Sequence, residues 1–267
     1  MKLLYDCDAG ADDALALRLL CKNRIELLGV STCFGGFPPE NAAVQAENIL
    51  REYEMTVPVC VGARTSLRGV GAVHSEAALP WDGLRMEAGQ FLREKLTGAT
   101  VLLATGPLTN AAAMLRSASC RPAQIVIMGG GIHGGNRTPD AEFNFFCDPE
   151  AADEVLQGGC PVTLLPLEAA KDCAMSEDDA ALLSPAAGND LRAQLAFARR
   201  AHGSSTVIPY DAVAAAGLCD PRVFAETRQC ACRVNSAGKL LISPGDGNVT
   251  LVEYADPDLF KNIFFSI

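Results

Sequence analysis

Short apolar runs alternate with helix-like patterns along this chain, and that rhythm limits the fold more than any other feature of the sequence. It predicts repeated strand, helix and strand units, and therefore an α/β fold with a mostly parallel central sheet and helices on both faces. The chain has 267 residues, enough for one large core, so we expect a single domain over residues 1–267. The predicted strands are 2–5, 26–33, 57–61, 101–104, 124–128 and 162–166, with helices at 11–22, 39–53, 107–117 and 148–157.

The last third of the chain is less regular. Two helical patterns are predicted between 187 and 218, separated by residues 202–206, and short strands follow over 228–252 before a final helix near 256–264. Residues 63–84 show no clean period, and a loop of this length inside a compact domain is typical of a lid or a binding loop. We therefore expect this loop to cover a site.

The composition disfavours several partners and locations. A formal net charge of -10 argues against nucleic acid and anionic membrane surfaces as partners, because both would repel the chain. No basic leader with an apolar run opens the sequence and no apolar stretch reaches spanning length, so we expect a cytoplasmic protein that binds no membrane. The eleven cysteines include no Cys-x-x-Cys pair, which favours buried thiols in a reducing compartment.

Four aspartates crowd the junction between the first predicted strand and the first predicted helix. They are Asp6, Asp8, Asp12 and Asp13. Like charges this close raise each other's pKa values, and a bound cation is the simplest remedy. Every candidate donor is an oxygen, so a hard ion such as Ca²⁺ or Mg²⁺ is favoured over zinc. Asp12 and Asp13 can also be explained as acidic residues in the first turn of a helix, where they complement the helix dipole. This explanation does not account for Asp6 and Asp8, which precede the helix.

Polar residues also follow other predicted strands. In an open parallel sheet, ligands bind outside the carboxyl ends of the strands, so residues at those ends are expected to surround one crevice. The set comprises residues 105–110 after the fourth strand, Gly129-Gly130-Gly131, Asn136 and Glu142-Phe143-Asn144 after the fifth, and Tyr210-Asp211 at the start of a late helix.

Two known acid-rich elements do not fit the first cluster. An EF-hand loop counted from Asp6 would need an oxygen donor at Gly10 and a glutamate at Leu17. A haloacid-dehalogenase-type phosphatase would use Asp6 as nucleophile with Mg²⁺, but its pattern puts Thr or Val at Gly10 and needs late Lys and Asp-Asp partners. Phosphate release from simple phosphomonoesters would be needed to support that hypothesis.

Three segments that span nearly the whole chain form a recognisable set. They are Asp6-x-Asp8-x-Gly10-x-Asp12-Asp13-Ala14, then Leu103-Ala104-Thr105-Gly106-Pro107-Leu108-Thr109-Asn110, and finally Met128-Gly129-Gly130, Asn136, Ala141-Glu142-Phe143-Asn144 and Asp148-Pro149-Glu150-Ala151-Ala152. Taken together and in this order, they resemble the inosine-uridine-preferring nucleoside hydrolase family. The resemblance implies a Rossmann-related fold and hydrolysis of the N-glycosidic bond of ribonucleosides.

The resemblance also implies a calcium site and a catalytic base. By similarity, Asp8, Asp13 and Asp211 bind Ca²⁺ through carboxylate oxygens, and Thr105 adds its backbone carbonyl. An all-oxygen shell of this kind suits calcium. Asp8 is further implied to be the general base that takes a proton from the attacking water. Asp6 is expected to orient these neighbours.

A small-molecule nucleoside is the partner that the resemblance implies, in a homodimer or homotetramer. Cleavage passes through a transition state with positive charge on the ribose ring, which surrounding carboxylates stabilise more than they stabilise the neutral substrate. The residues predicted to bind substrate on this basis are Asp12, Met128, Asn136, Glu142 and Asn144.

Three departures from the family pattern concern mainly the part of the site that is implied to contact the nucleobase. Tyr210 stands where many members have a histidine that protonates the departing base, and a tyrosine gives up its proton less readily, although we retain it as a candidate catalytic residue. Gly36 cannot supply the side-chain amide that many members have there, and His74, a candidate contact of the base, only loosely matches a family loop. The preferred base and the leaving-group acid therefore stay open, and a non-catalytic nucleoside or ribose binder remains the alternative.

Overall fold

A computed structural model describes residues 1–8, 10–73 and 77–267 of the chain. Its strands are β1 (Lys2–Cys7), β2 (Glu26–Thr32), β3 (Val59–Val61), β4 (Leu84–Arg85), β5 (Thr100–Ala104), β6 (Gln124–Met128), β7 (Val162–Leu165), β8 (Glu226–Val234), β9 (Leu240–Pro244) and β10 (Val249–Tyr254). Its α-helices are α1 (Ala11–Lys22), α2 (Pro39–Glu52), α3 (Gln90–Lys95), α4 (Thr109–Ser117), α5 (Phe143–Cys147), α6 (Pro149–Leu156), α7 (Glu177–Ala181), α8 (Pro185–His202), α9 (Tyr210–Cys219) and α10 (Pro257–Phe264). None of the helices in these three ranges combines the length and the apolar character that crossing a membrane requires.

The ten strands found in the described residues form one sheet, in the order β4-β3-β2-β1-β5-β6-β7-β10-β8-β9. Neighbouring strands from β4 through β7 and on to β10 run parallel, whereas β8 is antiparallel to both of its neighbours. Helices cover both faces. The predicted α/β class with a mostly parallel central sheet is therefore confirmed.

The central strand β1 shows why the first apolar run lacks alternation. Leu3 and Tyr5 pack into the core on one face of the sheet, and Leu4 packs into the core on the other. Successive side chains of a strand point to opposite faces, so a sheet covered on both sides buries all of them. Helices α1, α2, α8 and α9 cover the first core, and α3, α4 and α6 cover the second.

The structure differs from the sequence prediction mainly in short elements. Helices α3, α5 and α7 have only five or six residues each, too few to show a helical period. Within the predicted loop 63–84, Thr65 forms an isolated bridge to Gly71, and β4 begins at Leu84. The role of this loop as a cover stays a prediction, and His74 lies outside the described residues.

Most cysteines serve as small core side chains. Nine of the eleven are buried as free thiols, and Cys120 and Cys219 are partly buried. On β8, the sulfurs of Cys230 and Cys232 lie 3.6 Å apart, as a spacing of two on one face of a strand predicts.

Candidate active site

The carboxyl ends of three adjacent strands form the floor of a cavity of about 560 Å³. Strands β1, β5 and β6 are neighbours in the sheet, so Asp8, Thr105 and Met128 meet at one edge. All three line the cavity. The structure therefore brings together residues that are up to 120 positions apart in the chain, in the place where the strand order predicts a crevice.

Two helix N-termini supply the acidic side of the cavity. Asp12 and Asp13 lie in the first turn of α1, and Tyr210 and Asp211 begin α9. The two helices pack against each other, and Asp12, Tyr210 and Asp211 line the cavity. Asp13 is buried and is not one of the described residues that line it. The positive end of each helix dipole stabilises these carboxylates.

Hydrogen bonds fix Asp13 at both carboxylate oxygens. Its Oδ1 accepts from the hydroxyl of Thr105 at 2.6 Å and from the hydroxyl of Tyr5 at 3.0 Å. Its Oδ2 accepts from the backbone N–H of Gly10 at 2.7 Å and, more weakly, from that of Asp8 at 3.4 Å. Asp13 thereby joins the ends of β1 and β5 to the first turn of α1.

Glycines make the space that Asp8 occupies. A Cβ at Gly35 would lie 1.6 Å from Oδ2 of Asp8, and a Cβ at Gly106 would lie 2.9 Å from its Cβ. The backbone of Gly36 hydrogen-bonds to the Asp8 carboxylate and lowers its pKa. The Phe34-Gly35-Gly36 segment, which departs from the family pattern, therefore seats the predicted general base.

Burial and mutual repulsion raise the pKa values of the acidic side chains. Burial is the larger cause for both Asp8 and Asp211, followed by the charge of Asp13 on the former and of Asp12 on the latter. Burial, then the charge of Asp13, raises the pKa of Asp12 to about 7. A cation among these groups would offset both costs.

The donor set fits a hard divalent cation in its chemistry. Asp8, Asp13, Asp211 and the carbonyl of Thr105 offer only oxygens, which suits Ca²⁺ or Mg²⁺. These side chains do not converge on a common point in the structure. Within residues 1–8, 10–73 and 77–267, no three His, Cys, Asp or Glu side chains have the spacing of a metal centre. Asp13 is instead held by protein donors. Charge and donor type thus favour a cation, and its binding requires these side chains to converge.

Glu142 is the N-cap residue of α5, and backbone donors hold its carboxylate. Its carboxylate accepts from the N–H groups of Gly130 at 2.9 Å, Asn144 at 2.8 Å and Phe145 at 3.1 Å. Burial raises its pKa, and these hydrogen bonds oppose that effect. Glu142 also lines the cavity. Its hydrogen bonds to the backbone therefore set the position of this carboxylate before any ligand binds.

Asn144 ties two strand ends together. Its Nδ2 donates to the carbonyl of Thr105 at 2.8 Å and to that of Met128 at 3.2 Å. The Thr105 carbonyl therefore already accepts one hydrogen bond, and a carbonyl has a second lone pair for a cation. Asn136 lies on the exposed rim, where its Oδ1 accepts from the backbone N–H of Phe143 at 2.8 Å.

Asp6 has different surroundings from the other aspartates. Its Oδ1 accepts from the Nδ2 of Asn110 at 2.8 Å, and its Oδ2 has no hydrogen-bond partner among the described residues. Burial raises its pKa to about 7. Asn110 also donates to the carbonyl of Thr32 at 3.1 Å and accepts from the N–H of Ala63 at 2.9 Å. Asp6 therefore links β1 to the start of α4.

Tyr210 lines the cavity and is half-buried. Burial, then the charges of Asp12 and Glu168, raises its pKa to about 12. The hydroxyl can donate a hydrogen bond at neutral pH, but it releases its proton less readily than an ordinary tyrosine. A catalytic role for Tyr210 stays a prediction, and His74 cannot be placed relative to it because it lies outside the described residues.

One wall of the cavity was not anticipated from the sequence. Ala193, Gln194, Phe197 and His202 of α8 line it. The ring of Phe197 is 54% exposed and lies edge-on to the ring of His202, with centroids 6.3 Å apart. An exposed aromatic residue near the end of α8 is the only local signal, and single exposed apolar residues are common on protein surfaces.

Sequence comparisons identify relatives of this chain. A sequence model of the family described as inosine-uridine preferring nucleoside hydrolase matches residues 3–262. The pyrimidine-specific ribonucleoside hydrolase RihA of Photobacterium profundum is 35% identical over 197 residues, 66% of this chain and 64% of that protein. The pyrimidine-specific ribonucleoside hydrolase RihB of Escherichia coli is 31% identical over 211 residues, 70% of this chain and 66% of that protein. The matched part thus spans slightly less than two thirds of each relative's length.

Solved structures share the fold. A purine-preferring ribonucleoside hydrolase from Gardnerella vaginalis superposes with a TM-score of 0.88 at 22% identity, covering 100% of this chain and 97% of that chain. The plant nucleoside hydrolase PpNRh1 gives 0.87 at 23% identity, with 98% and 97% covered. Since the family's sequence model matches nearly the whole chain, this protein belongs to the inosine-uridine preferring nucleoside hydrolase family.

Proposed function

We propose that this chain is a Ca²⁺-dependent hydrolase that cleaves the N-glycosidic bond of ribonucleosides and releases ribose and the free base. The observation that carries the proposal is a cavity of about 560 Å³ whose floor carries the buried carboxylates of Asp8 and Asp211, with the buried carboxylate of Asp13 accepting from the backbone N–H of Asp8. Such a floor stabilises a ribose ring that gains positive charge more than it stabilises a neutral sugar. Membership of the family supports the same reaction.

Asp8, Asp13, Asp211 and the carbonyl of Thr105 are the residues proposed to hold the cation. Their oxygen donors and excess negative charge favour Ca²⁺. When bound, the ion supplies Lewis-acid activation of water and an anchor for sugar hydroxyls.

Asp8 is the proposed general base. It lies on the cavity floor, and Gly35 leaves room for its Oδ2. The Asp8 carboxylate takes one proton from water as the water oxygen adds to C1′ and the bond from C1′ to the base nitrogen breaks. The residues proposed to bind the substrate are Asp12, Met128, Asn136, Glu142 and Asn144, all of which line the cavity.

Both pyrimidine and purine ribonucleosides are candidate substrates. Two relatives above 30% identity are named pyrimidine-specific, whereas one structural neighbour is named purine-preferring. The higher sequence identity makes uridine and cytidine the first substrates to test. A homodimer or homotetramer located in the cytoplasm completes the proposal, and light scattering after size-exclusion chromatography tests the assembly.

The direct test is release of ribose from a panel of uridine, cytidine, inosine, adenosine and guanosine by the purified protein. We expect turnover of at least one nucleoside, its loss on chelation, and its return with Ca²⁺. Asp8→Asn should reduce kcat by about 10³-fold because the general base is removed. The exposed Asp178 on α7 provides the matched control, and Asp178→Asn should retain full activity.

Each outcome separates the hypotheses. No turnover on the whole panel with Ca²⁺ bound would contradict hydrolysis. Tight ribose binding in that case would support the second candidate, a non-catalytic binder, which is favoured by Tyr210 standing where many members of the family have a histidine. Turnover that survives complete chelation would contradict the calcium requirement.

A further inference from the structure

A histidine lies on the cavity wall without a part in the chemistry described so far. The chain has three histidines, His74, His133 and His202. His202 is the last residue of α8 and lines the cavity. His133 is exposed and is not among the described residues that line it. His202 is therefore the one histidine of the described chain that faces the cavity.

The polarity of the cavity places the base near this wall. The carboxylates of Asp8, Asp12 and Asp211 lie at the floor and attract the polar, partly cationic sugar. Apolar side chains line the cavity away from these carboxylates, among them Phe197 of α8, Val73 and Phe143, and they suit the face of a nucleobase. A nucleoside bound by its ribose at the floor therefore directs its base away from the carboxylates, toward the part of the lining that includes α8.

The departing base needs a proton. When the C1′–N bond breaks, its electron pair stays on the base nitrogen, and protonation of the base lowers the cost of departure. Tyr210 offers a phenol, which is a weak acid near neutral pH. An imidazolium is the side chain that most readily donates a proton in that range.

We propose that His202 is the catalytic residue that protonates the departing base. This role rests on the proposed hydrolysis. The imidazolium N–H gives its proton to a ring nitrogen of the base as the C1′–N electron pair moves onto the base. Water supplies the hydroxyl that adds to C1′ and gives its second proton to Asp8. One water is consumed, ribose and neutral base leave, and solvent returns His202 and Asp8 to their starting protonation states.

Two features of the wall suit this role. The rings of Phe197 and His202 lie edge-to-face with centroids 6.3 Å apart, and both side chains line the cavity. His202 is also exposed to solvent, so water can reprotonate it after each turnover. Phe197 and His202 thus place a flat apolar surface and a proton donor on the same side of the cavity.

The test compares two substrates that differ in their need for a proton. 4-Nitrophenyl β-D-ribofuranoside releases a stable phenolate and needs no acid, whereas a nucleoside does. We expect His202→Gln to lower kcat/KM on the best nucleoside by about 100-fold and to change it less than about threefold on the nitrophenyl riboside. His133→Gln, the same substitution on the other described histidine, should leave both values unchanged.

The remaining outcomes are also decisive. Equal loss on both substrates, or no loss on either, in His202→Gln would overturn the role. The same substrate-selective loss in His74→Gln or Tyr210→Phe, with His202→Gln unaffected, would assign the acid elsewhere and overturn it. Turnover of the nitrophenyl riboside alone by the unsubstituted protein would overturn it too, because no group would then protonate the base. Failure of the unsubstituted protein on both substrates would instead contradict the proposed hydrolysis itself.

Discussion

The floor and the α8 wall of the cavity are built in opposite ways. Around the floor, Asp13 and Glu142 are buried, and hydrogen-bond donors of the protein hold both carboxylate oxygens of each. On the wall, Phe197 is more than half exposed and its ring contacts that of His202. The floor is fixed by the fold before substrate binds, whereas the wall can change with little effect on the core. On the proposed function, we expect the floor to govern attack on the sugar and the α8 wall to govern contact with the nucleobase and its protonation.

Removing Asp13 should have the largest effect, because it breaks the floor itself. Asp13→Ala removes the carboxylate that accepts from the buried hydroxyls of Tyr5 and Thr105. It leaves these hydroxyls with longer contacts, at 3.1 Å from Thr105 to Tyr5 and at 3.2 Å from Tyr5 to the backbone carbonyl of residue 13. We expect destabilisation of about 2–4 kcal/mol and a fall in kcat of at least about 10³-fold. Urea unfolding and ribose release measure the two effects. Thr105→Val, which keeps the carbonyl and removes one donor, should cost about 1 kcal/mol; equal losses in both variants would contradict a central role for Asp13.

Crowding Asp8 should have the next largest effect. In Gly35→Ala the new Cβ would meet Oδ2 of Asp8 at 1.6 Å, so the carboxylate must move. Since small displacements of a catalytic group are costly, we expect kcat to fall by about 100-fold. Gly98→Ala is the control, because a Cβ there meets nothing within 4 Å. Normal turnover in Gly35→Ala would show that the Asp8 position is not critical.

The pH dependence of the free energy of unfolding tests how the buried acids near the floor contribute to stability. Burial raises the pKa of Asp6 to about 7 in the folded protein, whereas an unfolded aspartate titrates near pH 4. The folded state therefore binds the Asp6 proton more tightly than the unfolded state does. The stabilisation that this proton gives the folded state is present at low pH and is lost as the pH rises from about 4 to 7. In the presence of a chelator, the free energy of unfolding should fall less between pH 5 and pH 8 for Asp6→Asn than for the unsubstituted protein. Urea unfolding checks this, with Asp178→Asn as control; parallel curves for Asp6→Asn and the parent would contradict it.

Truncating Phe197 should have the smallest effect of these changes. Phe197→Ala removes an exposed aromatic surface and leaves the floor untouched. We expect KM for nucleosides to rise by about fivefold, equivalent to about 1 kcal/mol of stacking, with kcat changed less than about twofold. Steady-state kinetics measure both constants. Leu182→Ala is the matched control, because Leu182 is 65% exposed and is not among the described residues that line the cavity. A large fall in kcat would mean that floor and wall are coupled.

Local patterns in the sequence were enough to predict the class of fold and much of the floor. The alternation of apolar runs and helical periods predicted the parallel strands, and the rule that ligands bind at their carboxyl ends placed Asp8 beside Thr105. The short helices α3, α5 and α7 and the insertion of β10 between β7 and β8 were missed, because neither leaves a periodic signal.

The sequence by itself determined the α/β class and which acids gather at the end of the first strand, because periodicity and the end of a strand are properties of neighbouring residues. Tertiary structure alone decided how those acids are held and what faces them. The space for Asp8 depends on Gly35, and the position of Asp13 depends on Thr105, 92 residues away. His202 reaches the same cavity only because α8 packs against α1. Contacts between distant segments set these positions, and no local pattern carries that information.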